Sequence, residues 1–77
     1  MKNITALDAV ESLYGHGCIS TADLLLDVLY RDYGVKDHYQ LTEISAVEAL
    51  DSLHNHCYMR TADRLRDVIL RDFGVEL

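Results

Sequence analysis

Apolar residues recur every three or four positions in four segments of the chain, which is the spacing of the buried face of an α-helix. The first segment places Leu7, Val10 and Leu13 on one such face. A longer segment follows it, with apolar positions at Ala22, Leu25, Val28, Leu29 and Tyr33. Both patterns return 40 residues later, the second as Ala62, Leu65, Val68, Ile69 and Phe73. The pattern therefore predicts an all-α fold of four short helices.

The return of the pattern reflects an internal repeat. Residues 6–35 align without gaps on residues 46–75, and 15 of the 30 aligned pairs are identical. Self-similarity at a fixed offset indicates that one structural unit is used twice. We therefore expect a single domain over 1–77, made of two tandem helix-turn-helix (αα-hairpin) units with pseudo-two-fold symmetry. Unit one spans 5–35, a polar linker spans 36–41, and unit two spans 42–75.

Capping residues predict where the helices begin. Thr5 with Asp8, and Ser45 with Glu48, form the pattern of a capping box, in which two side chains satisfy helix N–H groups reciprocally. The first helix of each unit should therefore start directly after Thr5 and Ser45. The second helices are expected to begin at Ser20/Thr21 and at Thr61.

Glycine and asparagine predict where the helices end, because they adopt the left-handed conformation most readily. The first helices are expected to stop at Gly15 and Asn55, each in that conformation. The second helices should stop before Gly34 and Gly74. The absence of proline is consistent with four uninterrupted helices.

The two copies differ on the second helix. Leu24 and Leu26 of unit one are replaced by arginine at positions 64 and 66, and Tyr30 is replaced by leucine. The fold therefore tolerates charge at two of these positions, and unit one should carry surplus apolar surface. Ordinary surface scatter is one interpretation; a contact surface is the other. We expect Leu24, Leu26 and Tyr30 to bind a partner, with a homodimer as the favoured form.

The net charge of the chain indicates the surface charge that such a partner would have. The 77 residues contain 13 acidic and 7 basic side chains, a net charge of −6. Asp23 with Asp27, and Asp63 with Asp67, are spaced to line the exposed face of each second helix. This face either keeps the protein soluble or attracts a protein with a basic surface.

Asp32 and Asp72 break two local rules. Each lies near the middle of an apolar face, and each stands in the last turn of a helix, where the helix dipole disfavours an anion. One explanation is a structural bond to a loop, to a neighbouring arginine, or to a histidine such as His16 or His56 that holds the units together. The other is a functional carboxylate.

The loops between paired helices contain residues of the types that bind zinc: His16, Cys18, His54, His56 and Cys57. Their spacing matches no standard zinc pattern, so we expect no metal and no cofactor. Histidines would instead cap helix ends, and the cysteines would pack as small apolar residues. The start of the chain lacks the apolar stretch of a signal peptide, and no apolar run is long enough to span a membrane. We therefore expect a cytoplasmic protein with reduced thiols.

The motifs of the chain favour a binding function over catalysis. No nucleophile–base pattern, glycine-rich phosphate loop or HExxH motif occurs, so we expect no enzymatic activity. The favoured hypothesis is a small acidic protein-binding module, an inhibitor or regulator of the kind that phages and mobile elements encode. The alternative is a small transcriptional regulator, because residues 17–25 are similar to the turn and second helix of a DNA-binding helix-turn-helix. The acidic balance argues against nucleic acid, although basic residues cluster in unit two at Arg60, Arg64, Arg66 and Arg71.

Overall fold

The structure, a computed structural model, describes residues 3–77, and over that range the chain is all-α, with five helices and no strand. The helices are α1 (Ala6–Gly15), α2 (Ile19–Tyr33), a 3₁₀ helix (His38–Glu43), α3 (Ala46–Asn55) and α4 (Met59–Phe73). The four α-helices predicted from the hydrophobic pattern are present, and the 3₁₀ helix was not predicted. None of the helices within residues 3–77 is long and apolar enough to cross a membrane.

Capping boxes begin α1 and α3 at the predicted residues. The Thr5 hydroxyl accepts a hydrogen bond from the Asp8 backbone N–H, and the Asp8 carboxylate accepts one from the Thr5 N–H. Ser45 and Glu48 make the same reciprocal pair. Each box satisfies N–H groups that the first turn of a helix leaves without a partner.

The N-termini of α1 and α3 lie side by side. The Ala6 N–H donates to the Ile44 carbonyl over 2.7 Å, and the Ala46 N–H donates to the Ile4 carbonyl over 2.9 Å. These reciprocal bonds form an isolated antiparallel bridge between Thr5 and Ser45, the two capping residues. The backbone therefore joins α1 to α3 where both helices begin.

The left-handed residue after α1 and after α3 is not the one predicted. Gly15 and Asn55 are the last helical residues, and the positive φ angles belong to Gly17 (74°) and Cys57 (63°). The Cys18 N–H reaches back to the Leu13 carbonyl over 2.8 Å, which closes a Schellman ending around Gly17. The expectation for Gly15 and Asn55 is wrong because this ending places its left-handed residue two positions later.

The long helices end as predicted and begin slightly earlier. Gly34 and Gly74 are left-handed, with φ of 65° and 67°. Helix α2 begins at Ile19 and α4 begins at Met59, one to two residues before the predicted starts, and neither has a side-chain cap. The turn that closes the preceding helix leads directly into the next one, so no separate capping residue is used.

The core lies between all four α-helices, since α1 packs on both α2 and α4, and α3 packs on both α4 and α2. Two positions of the predicted apolar faces lie outside it. Tyr33 is 44% exposed, and Val47, which the 40-residue repeat aligns with Leu7, is 53% exposed. The segment expected to be only a polar linker contributes Leu41, which is fully buried. The largest fully buried side chains are Leu13, Leu25, Leu29, Leu41, Leu53, Leu65 and Ile69.

Candidate functional site

Asp72, near the end of α4, makes two hydrogen bonds to the C-terminal end of α1. The Ser12 hydroxyl donates to its Oδ2 over 2.7 Å, and His16 Nε2 donates to its Oδ1 over 2.8 Å. Ser12 is buried, whereas the side chains of His16 and Asp72 are each 34% exposed. The hydrogen bonds from Ser12 and then His16 hold the pKa of Asp72 below its ordinary value.

Asp32, near the end of α2, has the corresponding partners on α3. His56 Nε2 donates to Asp32 Oδ1 over 2.9 Å, and hydrogen bonds from His56 and then Ser52 hold the pKa of Asp32 below its ordinary value. The His56 ring also stacks on Tyr58, with 5.9 Å between ring centroids. We call the sets Ser12–His16–Asp72 and Ser52–His56–Asp32 the two carboxylate clamps. One clamp joins α1 to α4, and the other joins α3 to α2.

The clamps contain the residue types of a serine hydrolase triad in the wrong order. In a triad the histidine stands between serine and aspartate and removes the serine proton. Here the aspartate stands in the middle, and Ser12 and His16 both donate to Asp72. Ser52 is also buried, at 3% exposure. This arrangement stabilises an anion at a helix C-terminus, where the dipole opposes it, and does not activate a nucleophile.

The predicted histidine and cysteine candidates do not form a metal site in the part of the chain that the structure describes. His16 and His56 are used in the clamps, and His54 is exposed. Cys18 is half-buried and Cys57 is exposed, and both are free thiols. Over residues 3–77, no group of three or more histidine, cysteine or acidic side chains is arranged to hold a metal ion.

A line of aromatic and acidic side chains runs along the outside of α2. Asp23, Asp27 and Tyr30 are spaced four and then three residues apart, which places them on one helix face. Tyr14, near the end of α1, extends the line because its hydroxyl donates to Asp23 Oδ1 over 3.1 Å. The two tyrosines are 38% and 42% exposed. We call Tyr14, Asp23, Asp27 and Tyr30 the aromatic-acidic stripe.

The stripe differs from the contact surface that the sequence predicts. Leu26 is 8% exposed and belongs to the hydrophobic core, and Leu24 is half-buried. The expectation that Leu26 is surplus surface is wrong, because α1 and α3 also pack on α2 and the core reaches further around it than one apolar arc. Tyr14 was missed, although it is one of the positions at which the two copies differ: the matching residue is His54.

Helix α4 has a more positive net charge than α2. Arg60, Arg64 and Arg66 are exposed. Helix α2 contains three aspartates and one arginine, a net charge of −2, whereas α4 contains three aspartates and four arginines, a net charge of +1. Asp63 is exposed, and Asp67 pairs with Arg71 over 3.3 Å. Asp27 makes the same pair with Arg31, also over 3.3 Å, so on each helix one aspartate is partly neutralised.

A groove of about 560 Å³ opens where α1 and α3 begin, with a largely apolar lining that includes Ile4, Ile44 and Val47. Glu48 also lines it, but its carboxylate already accepts a hydrogen bond from the Ser45 N–H. None of the residues that line the groove belongs to the stripe or to either clamp.

No protein-family model matches the chain, and no curated protein or solved structure is significantly similar to it.

Proposed function

We propose that the protein is a small, non-enzymatic protein-binding module that inhibits or regulates a partner by covering part of the partner's surface. We further propose that it is built from two tandem hairpins related by pseudo-two-fold symmetry. The matching helix bounds, 40 residues apart, and the two carboxylate clamps support this second proposal. The free thiols of Cys18 and Cys57 fit a cytoplasmic location.

The aromatic-acidic stripe carries the proposal. Tyrosine rings supply a large, rigid contact area and are enriched where proteins bind one another. The hydrogen bond between Tyr14 and Asp23 fixes one ring in place, and desolvation and then this bond raise the pKa of Tyr14, so the phenol remains a donor. Asp23 and Asp27 add negative charge beside both rings. The combination suits a partner with a basic surface, above all one with arginine, whose guanidinium stacks on aromatic rings and bonds to carboxylates.

Binding of an oligo-arginine peptide, followed by fluorescence anisotropy, tests this function. We expect it to bind more tightly than an oligo-lysine peptide of equal length. Replacing Tyr14 by histidine and Tyr30 by leucine copies the residues of the second hairpin, and should weaken arginine binding about tenfold.

Asp23→Asn and Asp63→Asn provide a matched control, because both remove one charge at equivalent positions of the two hairpins. Only Asp23→Asn should weaken binding if the stripe is the site. Equal weakening by both variants would show that the peptide responds to overall charge and would contradict a site on the stripe.

A second candidate function, binding of DNA, is favoured by one observation. Arg60, Arg64 and Arg66 are exposed on α4, which follows a tight turn as a recognition helix does. Binding to duplex DNA that falls steeply with added salt, and is lost in Arg64→Glu, would support this candidate. The same experiment would then place the site on α4 and not on the stripe.

A further inference from the structure

The 3₁₀ helix packs on α1, and no corresponding segment packs on α3. The 3₁₀ helix buries its Leu41 completely and leads into Ile44, whose carbonyl accepts from the N–H of Ala6, the first residue of α1. Among residues 3–77, α3 packs on the other three α-helices but on no 3₁₀ helix. The groove of about 560 Å³ opens at its start instead, with a volume in the ordinary range of ligand sites.

Side chains at matching positions of the two copies differ in exposure. Val47 aligns with Leu7 at the offset of 40 residues, and Val47 is exposed whereas Leu7 is half-buried. Val75 aligns with Val35, and Val75 is exposed whereas Val35 is buried. Both exposed valines line the groove. The apolar positions that are covered beside α1 are therefore uncovered beside α3.

The groove also has an acidic rim. Glu43 and Glu48 line it, both are exposed, and neither makes an ion pair among residues 3–77. One oxygen of Glu48 accepts from the Ser45 N–H, which leaves its second oxygen available. No basic side chain of the described residues lines the groove, so its local charge favours a cationic group in whatever enters it.

We propose that the groove is a docking site for a partner protein, which inserts one helical turn that carries a leucine with a basic residue beside it. The inference rests on the proposed pseudo-two-fold relation between the two halves of the chain, because under that relation the groove corresponds to the place of the 3₁₀ helix. The partner's leucine would lie beside α3 as Leu41 lies beside α1. Its basic residue would pair with Glu43 or Glu48. The groove is a second binding surface, distinct from the aromatic-acidic stripe.

A peptide that copies residues 36–43 of this chain is the probe. It contains the whole 3₁₀ helix together with Asp37 and Gln40, which form the capping box at its start. The peptide is titrated into the 77-residue protein, and the amide signals of the isotope-labelled protein are followed by NMR. Binding in the groove should shift the signals of Ile44 and Val47.

Two variants of the peptide test the chemistry of the occupant. Leu41→Asp in the peptide should weaken binding at least about tenfold, because burying a leucine side chain changes an equilibrium by about that factor or more. Glu43→Lys in the peptide should strengthen binding, because the new ammonium group meets the acidic rim of the groove. A lysine peptide that binds no more tightly than the parent peptide would contradict the basic residue in the proposal.

Val47→Asp and Ile19→Asp are a matched pair of protein variants. Each places an aspartate in the first turn of an α-helix, where an anion is favourable, in place of an apolar side chain that is half exposed. Ile19 does not line the groove. Only Val47→Asp should weaken binding of the peptide, by about tenfold, and both variants should bind the oligo-arginine peptide as the wild type does. Circular dichroism verifies that both variants are folded.

Several outcomes would overturn the docking site. Absence of peptide binding, or equal weakening by both protein variants, excludes the groove. Signal shifts at Leu7 and not at Val47 would show that the peptide displaces the 3₁₀ helix from α1. A wild type that is a dimer by light scattering, and a monomer in Val47→Asp, would exclude a foreign partner in favour of a second copy. If the peptide binds and oligo-arginine does not, the groove stands and the stripe fails; the reverse result retains the stripe alone.

Discussion

Leu26→Arg tests whether this position belongs to the core or to a surface. Transfer of a leucine side chain from water to a protein interior contributes about 1.5–3 kcal/mol. Leu26 is 8% exposed, so its burial contributes nearly all of this free energy to folding. An arginine at position 26 would forfeit that contribution. The position lies at the edge of the core, and an arginine stem can cover apolar surface while its guanidinium reaches water. We therefore expect a loss of about 2 kcal/mol in the free energy of unfolding.

That loss is large for a chain of this size, whose total stability is on the order of 4–12 kcal/mol. The melting temperature, followed by circular dichroism, should fall by about 8–16 °C. Arg66→Leu is the matched control, because it makes the opposite change at the equivalent position of α4, where the side chain is exposed. It should change stability by less than about 0.5 kcal/mol. Equal effects of the two substitutions, or an unchanged melting temperature in Leu26→Arg, would refute the burial argument.

Three further predictions concern the clamps and the helix ends. In the folded protein the pKa values of Asp32 and Asp72 lie below the ordinary 3.8. The two ionised carboxylates therefore stabilise the fold fully above about pH 5, and this stabilisation is lost as the pH falls through the folded-state pKa values. The urea concentration at the midpoint of unfolding should therefore drop on acidification, and it should drop less in the Asp32→Asn/Asp72→Asn double variant. If the midpoint depended equally on pH in both proteins, the role of the clamps would be contradicted. Ser45→Ala removes a capping hydroxyl and should cost about 1 kcal/mol in urea unfolding, whereas an unchanged midpoint would mean that the cap is dispensable. Gly34→Ala should destabilise the protein by about 1 kcal/mol, because φ of Gly34 is 65°. Gly15→Ala should instead stabilise it by about 0.5–1 kcal/mol, because Gly15 is helical and the new Cβ would meet nothing within 4 Å. Thermal melts of both glycine variants check the sign, and the same sign in both would contradict the assigned conformations.

The sequence determined the features that depend on neighbouring residues. The capping boxes at Thr5 and Ser45 and the left-handed glycines at 34 and 74 were predicted because each is made by residues within one or two turns of one another. Helices α1 and α3 end at the predicted residues, but the left-handed residue after each of them is not the predicted one, for a local reason. In the aligned pair of Gly17 and Cys57 the second residue is a cysteine, a type that gives no signal for this conformation.

Only the tertiary structure decided which side chains are buried and which polar groups meet. Leu26 and Arg66 occupy equivalent positions in the aligned copies, and α1 and α3 pack on both helices, yet Leu26 is in the core and Arg66 is exposed. An arginine at the edge of a core extends its guanidinium into water, whereas a leucine there packs inward. From the sequence, Asp72 is anomalous because it lies on an apolar face in the last turn of a helix, but its hydrogen-bond partner could be a loop, an arginine or a histidine. Ser12 and His16 lie 60 and 56 residues away along the chain, and they meet Asp72 only because α1 packs on α4. Tyr14 joined the stripe for the same reason: the packing of α1 on α2 brings its hydroxyl to Asp23, a contact that no helical periodicity encodes.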